Sequence, residues 1–307
     1  MDIVTHAAAG IVLGAPLLLD RPEAMAFFVF GSVFPDLDTT ARVFGKMGFM
    51  KCHQTFMHSF FGIILCAICV PALAMWGFCI EFAIAFALGM LLHVLFDWSN
   101  SYGVMLFYPF SRKRYCRHYL FFIDLTVFLS SMIALAATIN TLFTMPLQSV
   151  FGRIAAVYAS VLILYVALHL LFHIRAKKLL IGRRFVLIPS ALLPWQYYGA
   201  VEYEGKVTPL KLNALTKKSL FYEPITTLDV AFSGLLAAQP EYRTMHKLLP
   251  MYRAVDLKQD GHRLTLTCRE LAIRNFGGRF GTLELTVDME AMDENGVPQT
   301  IKKVFHV

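Results

Sequence analysis

Residues 80–97, IEFAIAFALGMLLHVLFD, run apolar almost throughout and then carry His93 and Asp97 four residues apart. A helix of that length reaches across about 30 Å of hydrocarbon. At i, i+4 spacing the two polar side chains share one helix face, one turn apart. An Asp at the centre of a spanning helix costs about 2.5–3.5 kcal/mol on insertion scales, and less near the interface. The stretch predicts a membrane helix whose polar end has a partner or an ion to offset that cost.

The neighbouring segments extend the reading. Apolar runs also occupy roughly 4–19, 24–35, 59–76, 121–143 and 150–174. The last two and 59–76 are long enough to span; the first two suit a short hairpin or spans that thin the bilayer. The whole chain of 307 residues is 57% hydrophobic and 16% charged, with mean hydropathy +0.58, against about 25% charged for soluble domains. Charge is uneven: residues 1–174 hold nine Lys/Arg and eight Asp/Glu, and the remainder holds nineteen and thirteen. The expected architecture is an all-α polytopic membrane domain of about four to six apolar helices over 1–176. A basic connector over 177–204 and a small α+β domain over 205–307 with a mostly antiparallel sheet follow it. The second prediction rests on alternation in GHRLTLTCRELAI and GTLELTVDMEAM, turn pairs at Asp260-Gly261 and Asn295-Gly296, and a short helical stretch near 229–248.

Loop charge sets an orientation. With alternating spans, one side receives 36–58, 98–120 and everything after 175, with Arg42, Lys46, Lys51, Arg112, Lys113, Arg114 and Arg117. The other side receives little beyond Arg21 and Arg153. The positive-inside rule makes the rich side cytoplasmic, with both termini there. Many of the basic residues behind the net charge of +7 lie beside apolar spans, as at the cytoplasmic edge of a membrane, so nucleic acid is not an expected partner. Cys66 and Cys69 lie inside an apolar helix and read as small buried residues rather than a redox or zinc pair. The start MDIVTH is acidic and precedes no small-residue cleavage site, so no secretory signal is expected.

In that topology the ionisable residues of the membrane half fall at one edge. His6 opens segment one, Asp36 and Asp38 end segment two, His53 and His58 precede segment three, and His93 and Asp97 end segment four. Imidazoles and carboxylates together suit a divalent metal: Zn²⁺, or alternatively Mn²⁺ or Fe²⁺. Asp124, His118, His169 and His173 are secondary candidates at the same edge. Each residue also has a plainer reading. Asp36 after Pro35 can be a turn or cap, His93/Asp97 an interhelical hydrogen bond, and His169/His173 two tolerated histidines.

These residues resemble the YdjM-like family of bacterial membrane-bound metal-dependent hydrolases. The likeness rests on THAAAG (5–10), FPDLD (34–38), His53, His58 and Ser59, HVLFDWSNSYG (93–103), YPFSRKRY (108–115), FFIDL (121–125) and PSALLPWQYY (189–198), with RELAIRNF (269–276) a looser part. The pair His93/Asp97 also looks like the ligand pair of zinc-dependent phospholipase C, an analogy that implies Asp36, Asp38, His53 and His58 as the ligands completing the site. His6, at the same edge, is a further candidate ligand, and Asp36 or Asp38 would act as ligand or general base. Three positions depart from the family's pattern: Gln54 stands where an Arg is usual, His118 where an acid is, and Leu125 where a Pro is. The missing Arg removes a phosphate contact that Lys51, Arg112, Arg114 or Arg117 would have to supply. The function expected is an inner-membrane hydrolase of a lipid or lipid-linked phosphoester. A metal carrier or sensor, and a non-enzymatic scaffold, are the alternatives.

Overall fold

The computed structural model describes residues 1–75, 77, 79–101, 103–249, 251–272, 282–292 and 298–305. Its first unit comprises Met1–His173 with Pro189–Pro194. Among the described residues it holds seven α-helices, the last of them running on past His173: α1 Ile3–Gly14, α2 Pro22–Val33, α3 Gly45–Cys52, α4 Phe60–Ala74, α5 Ile80–Ser99, α6 Leu125–Thr144 and α7 Gln148–Lys178. A 3-10 segment, Phe34–Phe44, links α2 to α3, where the sequence had suggested only a loop. Side chains set several starts. Asp2 accepts from Thr5 N ahead of α1, Ser59 from Gly62 N ahead of α4, and Asp124 from Thr126 N and Val127 N ahead of α6. Each satisfies amides that a helix N-terminus leaves open.

Helices α5, α6 and α7 are long and apolar enough to cross a membrane, with mean hydropathies of 1.9, 1.7 and 2.3. Two shorter apolar stretches, Ile3–Leu17 and Phe60–Ala74, accompany them. Only 22% of each span in α6 and α7 is buried within the protein, and Ile133, Ile163 and Leu164 stand on their outer faces. So large an apolar surface fits a hydrocarbon environment rather than water.

Two glycines bring α2 and α5 together backbone to backbone. A Cβ at Gly31 would meet Phe86 O at 2.3 Å, and one at Gly89 would meet Phe28 O at 2.0 Å. A Cβ at Gly10 would meet the Ser32 side chain, with Oγ at 2.1 Å, so the glycine leaves room for that hydroxyl between α1 and α2. Phe27, Phe86, Met90 and Val94 fill the core beside this contact. Small residues at such crossings are what membrane helices use to approach one another. Here the crossing sets the end of α2 directly against the last turns of α5.

The second unit comprises Ile174–Ile188 and Trp195–Val307. The stretch expected as a basic connector, 177–204, holds the end of α7 together with strands β1 Arg184–Pro189 and β2 Gln196–Tyr203. Strands β3 Lys206–Asn213, β4 Lys218–Phe221 and β5 Ile225–Thr226 complete a sheet ordered β1-β2-β3-β4, with β5 paired to β3. Helices α8 Ser233–Ala238 and α9 Pro240–Leu248 follow, covering the region where a helix was expected. A meander of β6 Tyr252–Asp260, β7 Arg263–Glu270, β8 Leu283–Met292 and β9 Pro298–Phe305 ends the chain. Alternation put Leu264, Leu266 and Cys268 on one face of β7, and these pair with Val287, Leu285 and Leu283 of β8, all buried. Gly261 turns the β6–β7 hairpin at φ +56°, as the Asp-Gly pair predicted. The Asn295-Gly296 pair and residues 273–276 of RELAIRNF lie outside the described residues. The observed architecture is a helical membrane domain followed by an α+β domain with antiparallel sheets.

Candidate metal centre

Three chain segments bring acids and imidazoles to one buried point. The end of α5 supplies His93 and Asp97, the 3-10 segment supplies Asp36, and the turn before α4 supplies His58. One ligand atom from each of these residues lies within 4.8 Å of every other. All four are buried. His58 Nε2 stands 3.1 Å from His93 Nε2 and 3.4 Å from Asp97 Oδ2. His93 Nε2 is 3.6 Å from both Asp36 Oδ1 and Asp97 Oδ2.

The surroundings fix which nitrogen of each ring faces inward. His93 Nδ1 lies 2.8 Å from the carbonyl oxygen of Ser32, which can only accept, so Nδ1 donates. The lone pair of neutral His93 is then on Nε2. His58 Nδ1 faces Asp38 Oδ2 at 3.3 Å, an ionic contact rather than an aligned hydrogen bond, and again leaves Nε2 inward. With His58 in its neutral form, two imidazole lone pairs and two carboxylates converge, all acceptors. Such a set is stable only around a cation or a shared proton, and an N/O donor set of this kind fits a divalent metal ion. Carboxylate or carbonyl partners on the far nitrogen are the usual outer support of metal-bound histidines.

Asp38 is the organiser of this outer layer. It accepts from His53 Nδ1 at 2.6 Å and from Gln54 N at 2.8 Å. Burial alone would raise its pKa, but His53 and His58 outweigh that and hold it at about 2. Burial likewise opposes the charge on His58, yet Asp38 and Asp97 raise it to about 9. Asp36 has no such donors, and burial raises its carboxyl above the usual range. Asp97 accepts from Gln54 Nε2 at 3.0 Å and Asn100 Nδ2 at 3.2 Å, and the Met1 amino group also lies against it. Gln54 adopts φ +59°, a left-handed backbone that aims its amide and its side chain at two different carboxylates.

The other sequence candidates separate from the four. His6 is buried and stacks on the His93 ring at 3.7 Å, with Nε2 3.4 Å from Asp97 Oδ1. His53 stacks on Phe49 and holds Asp38. Asp124 is a helix cap, joined by the Tyr165 hydroxyl at 3.0 Å, and burial pushes it up to about 6. His118 pairs with Cys116 Sγ at 3.2 Å. His169 packs on Tyr165 and His173 on Tyr119. Arg114 turns inward, donating to Gln54 Oε1, Gly103 O and His53 O. Arg117 lies over the Trp98 ring at 4.7 Å, and Arg112 is exposed. The Lys51 side chain and Tyr102 lie outside the described part. Sequence reasoning missed the Ser32 carbonyl and Asn100, and noted Gln54 only as a departure from the family's pattern. Asn100, inside WSNSYG, and Gln54, beside His53, both sit in stretches that had been singled out.

Apolar spans around a buried cluster of two histidines and two aspartates define an integral membrane protein with a candidate metal centre. The chain belongs to the YdjM inner membrane protein family, whose model matches residues 1–178. It is also similar to the uncharacterized protein YfhP of Bacillus subtilis (strain 168), 29% identical over 149 residues. That match covers 44% of this chain and 46% of the relative, so less than half of either is compared. No solved structure matches the chain. The likeness of His93/Asp97 to phospholipase C thus rests on those two residues alone, and the looser RELAIRNF likeness falls beyond the family match.

Proposed function

We propose that this protein is a metal-dependent hydrolase of the bacterial inner membrane, with both termini in the cytoplasm and its site at the cytoplasmic edge. Its substrate would be a lipid or lipid-linked phosphoester. The convergence of Asp36, His58, His93 and Asp97 carries the reading. These residues would hold one divalent ion, Zn²⁺ by preference for a mixed imidazole and carboxylate set. When bound, such an ion supplies Lewis acidity and lowers the pKa of water toward 7.

The chain's own residues have separable tasks. Asp38, committed to His53, His58 and Gln54, orients rather than accepts a proton. Asp36 offers one carboxylate oxygen to the cluster, and its other oxygen would be the proton acceptor. Ser32 O holds the His93 ring, and Gln54 holds Asp97. Arg112 and Arg117, with Lys51, would attract an anionic headgroup, while Arg114 steadies the loops behind Gln54. The carrier alternative wants polar groups near the bilayer midplane, and these collect where helices begin and end. The test is phosphodiester turnover by purified, metal-loaded protein on lipid substrates. His93→Ala should abolish it; unchanged turnover, or protein that binds no divalent metal, would overturn the reading.

A further inference from the structure

Next to the cluster, an aromatic and basic rim stands open to the surroundings. The segment 106–117 docks on the start of α4 through Phe60 N to Leu106 O, 2.9 Å. Phe107 packs against Phe60 at 5.7 Å and Phe110 against Phe61 at 6.1 Å between ring centroids. All four phenylalanines remain exposed, Phe110 at 84%. Such a group facing water would be costly, and it is too polar-flanked for the hydrocarbon core.

The flanks are cationic. Arg112 and Lys113 are exposed, Lys113 Nζ sits 5.4 Å over Tyr115, and Arg117 lies over Trp98. From Thr39 to Ile80 and from Trp98 to Ile123 the chain holds no Asp or Glu. Every charged residue in those two stretches is therefore a Lys or an Arg. The rim also borders the site in sequence: Phe60 lies two residues after His58, and Trp98 directly follows Asp97.

From this juxtaposition we infer that the rim is a docking surface for anionic phospholipid, with Phe107 and Phe110 seated among headgroups and Arg112 and Lys113 on the phosphates. Interleaved aromatics and cations are how interfacial segments hold a membrane surface. The inference deepens the lipid reading by giving the substrate a route along the plane of the leaflet. Its readout is lipid contact and not turnover, so a chain that hydrolyses nothing still answers it.

The probe is Phe110→Trp in the full chain, reconstituted in nanodiscs of phosphatidylcholine and phosphatidylglycerol with one or the other brominated near the headgroup. Phe110 is exposed, so the fold tolerates the change. The added indole, read against the parent chain, should resist aqueous iodide. Brominated phosphatidylglycerol should quench it at least about twofold more than brominated phosphatidylcholine at equal mole fraction. Adding Arg112→Gln and Lys113→Gln should abolish that difference. Quenching by iodide and by neither lipid overturns the docking surface. Equal quenching by both lipids overturns its anionic character.

Discussion

Asp38→Asn changes one atom and removes a charge from the support of the cluster while leaving all four candidate ligands in place. Two donors hydrogen-bond this carboxylate, His53 Nδ1 at 2.6 Å and Gln54 N at 2.8 Å, and His58 Nδ1 makes an ionic contact at 3.3 Å. An amide offers one oxygen, so its NH₂ must face at least one N–H. The charge that keeps His58 Nδ1 protonated, and its Nε2 directed inward, is also lost. Removing one outer partner of a metal-bound histidine typically costs 10- to 100-fold in metal affinity, about 1.4–2.8 kcal/mol. Because Asp38 serves two histidines and Gln54 together, the upper end is expected, about 100-fold for Zn²⁺. The assay is competition against a chromophoric chelator on purified protein, with helix content checked by circular dichroism. Unchanged affinity in a folded Asp38→Asn protein would refute the assignment of Asp38 as the organiser.

Other consequences follow from particular contacts. Gly89→Ala would place a methyl 2.0 Å from Phe28 O and should destabilise the membrane domain by at least about 1–3 kcal/mol, lowering its melting temperature in detergent and its metal content together. Metal affinity should rise with pH up to about 9, because a proton on His58 must leave first, with a slope approaching tenfold per unit measured by the same chelator competition. The raised His58 pKa also means that the metal-free fold is stabilised below about 6.5 and loses that support as pH climbs through about 9. In the second unit, burial raises Glu270 to about 7 from an ordinary 4.5. Its folded form holds the proton more tightly, so stability present below 4.5 is lost by pH 7, a loss of about 3 kcal/mol. Glu270→Gln should flatten that dependence in thermal unfolding at pH 4.5 and pH 8.

Three of the four expected full-length spans, and the ends at which polar groups gather, were legible because both follow simple rules, whereas 59–76 forms the shorter helix Phe60–Ala74. Hydrocarbon thickness demands long apolar runs, and i, i+4 spacing puts His93 and Asp97 together wherever the helix goes. The hairpin at Gly261 was equally local. What the sequence could not separate was Asp36 from Asp38. Two residues apart, they look alike as ligands, and only the 3-10 segment sends one to the cluster and the other to His53 and His58. The 98–120 loop has no period, so the inward turn of Arg114 was invisible there. Gln54 and the Ser32 carbonyl were out of reach for a different reason. A left-handed backbone and a carbonyl oxygen leave no mark in residue type, although Gly31 and Gly89 make the approach of α2 to α5 possible.

The central claim is that Asp36, His58, His93 and Asp97 jointly hold one divalent ion. Metal content of the purified full-length protein, measured by plasma mass spectrometry after Zn²⁺ loading and gel filtration, tests it most directly. The account predicts about one ion per chain. Asp36→Ala, His58→Ala, His93→Ala and Asp97→Ala should each lose it, and His118→Ala should retain it. Absence of a stoichiometric ion in the parent protein, or full retention by the four variants, would contradict the account.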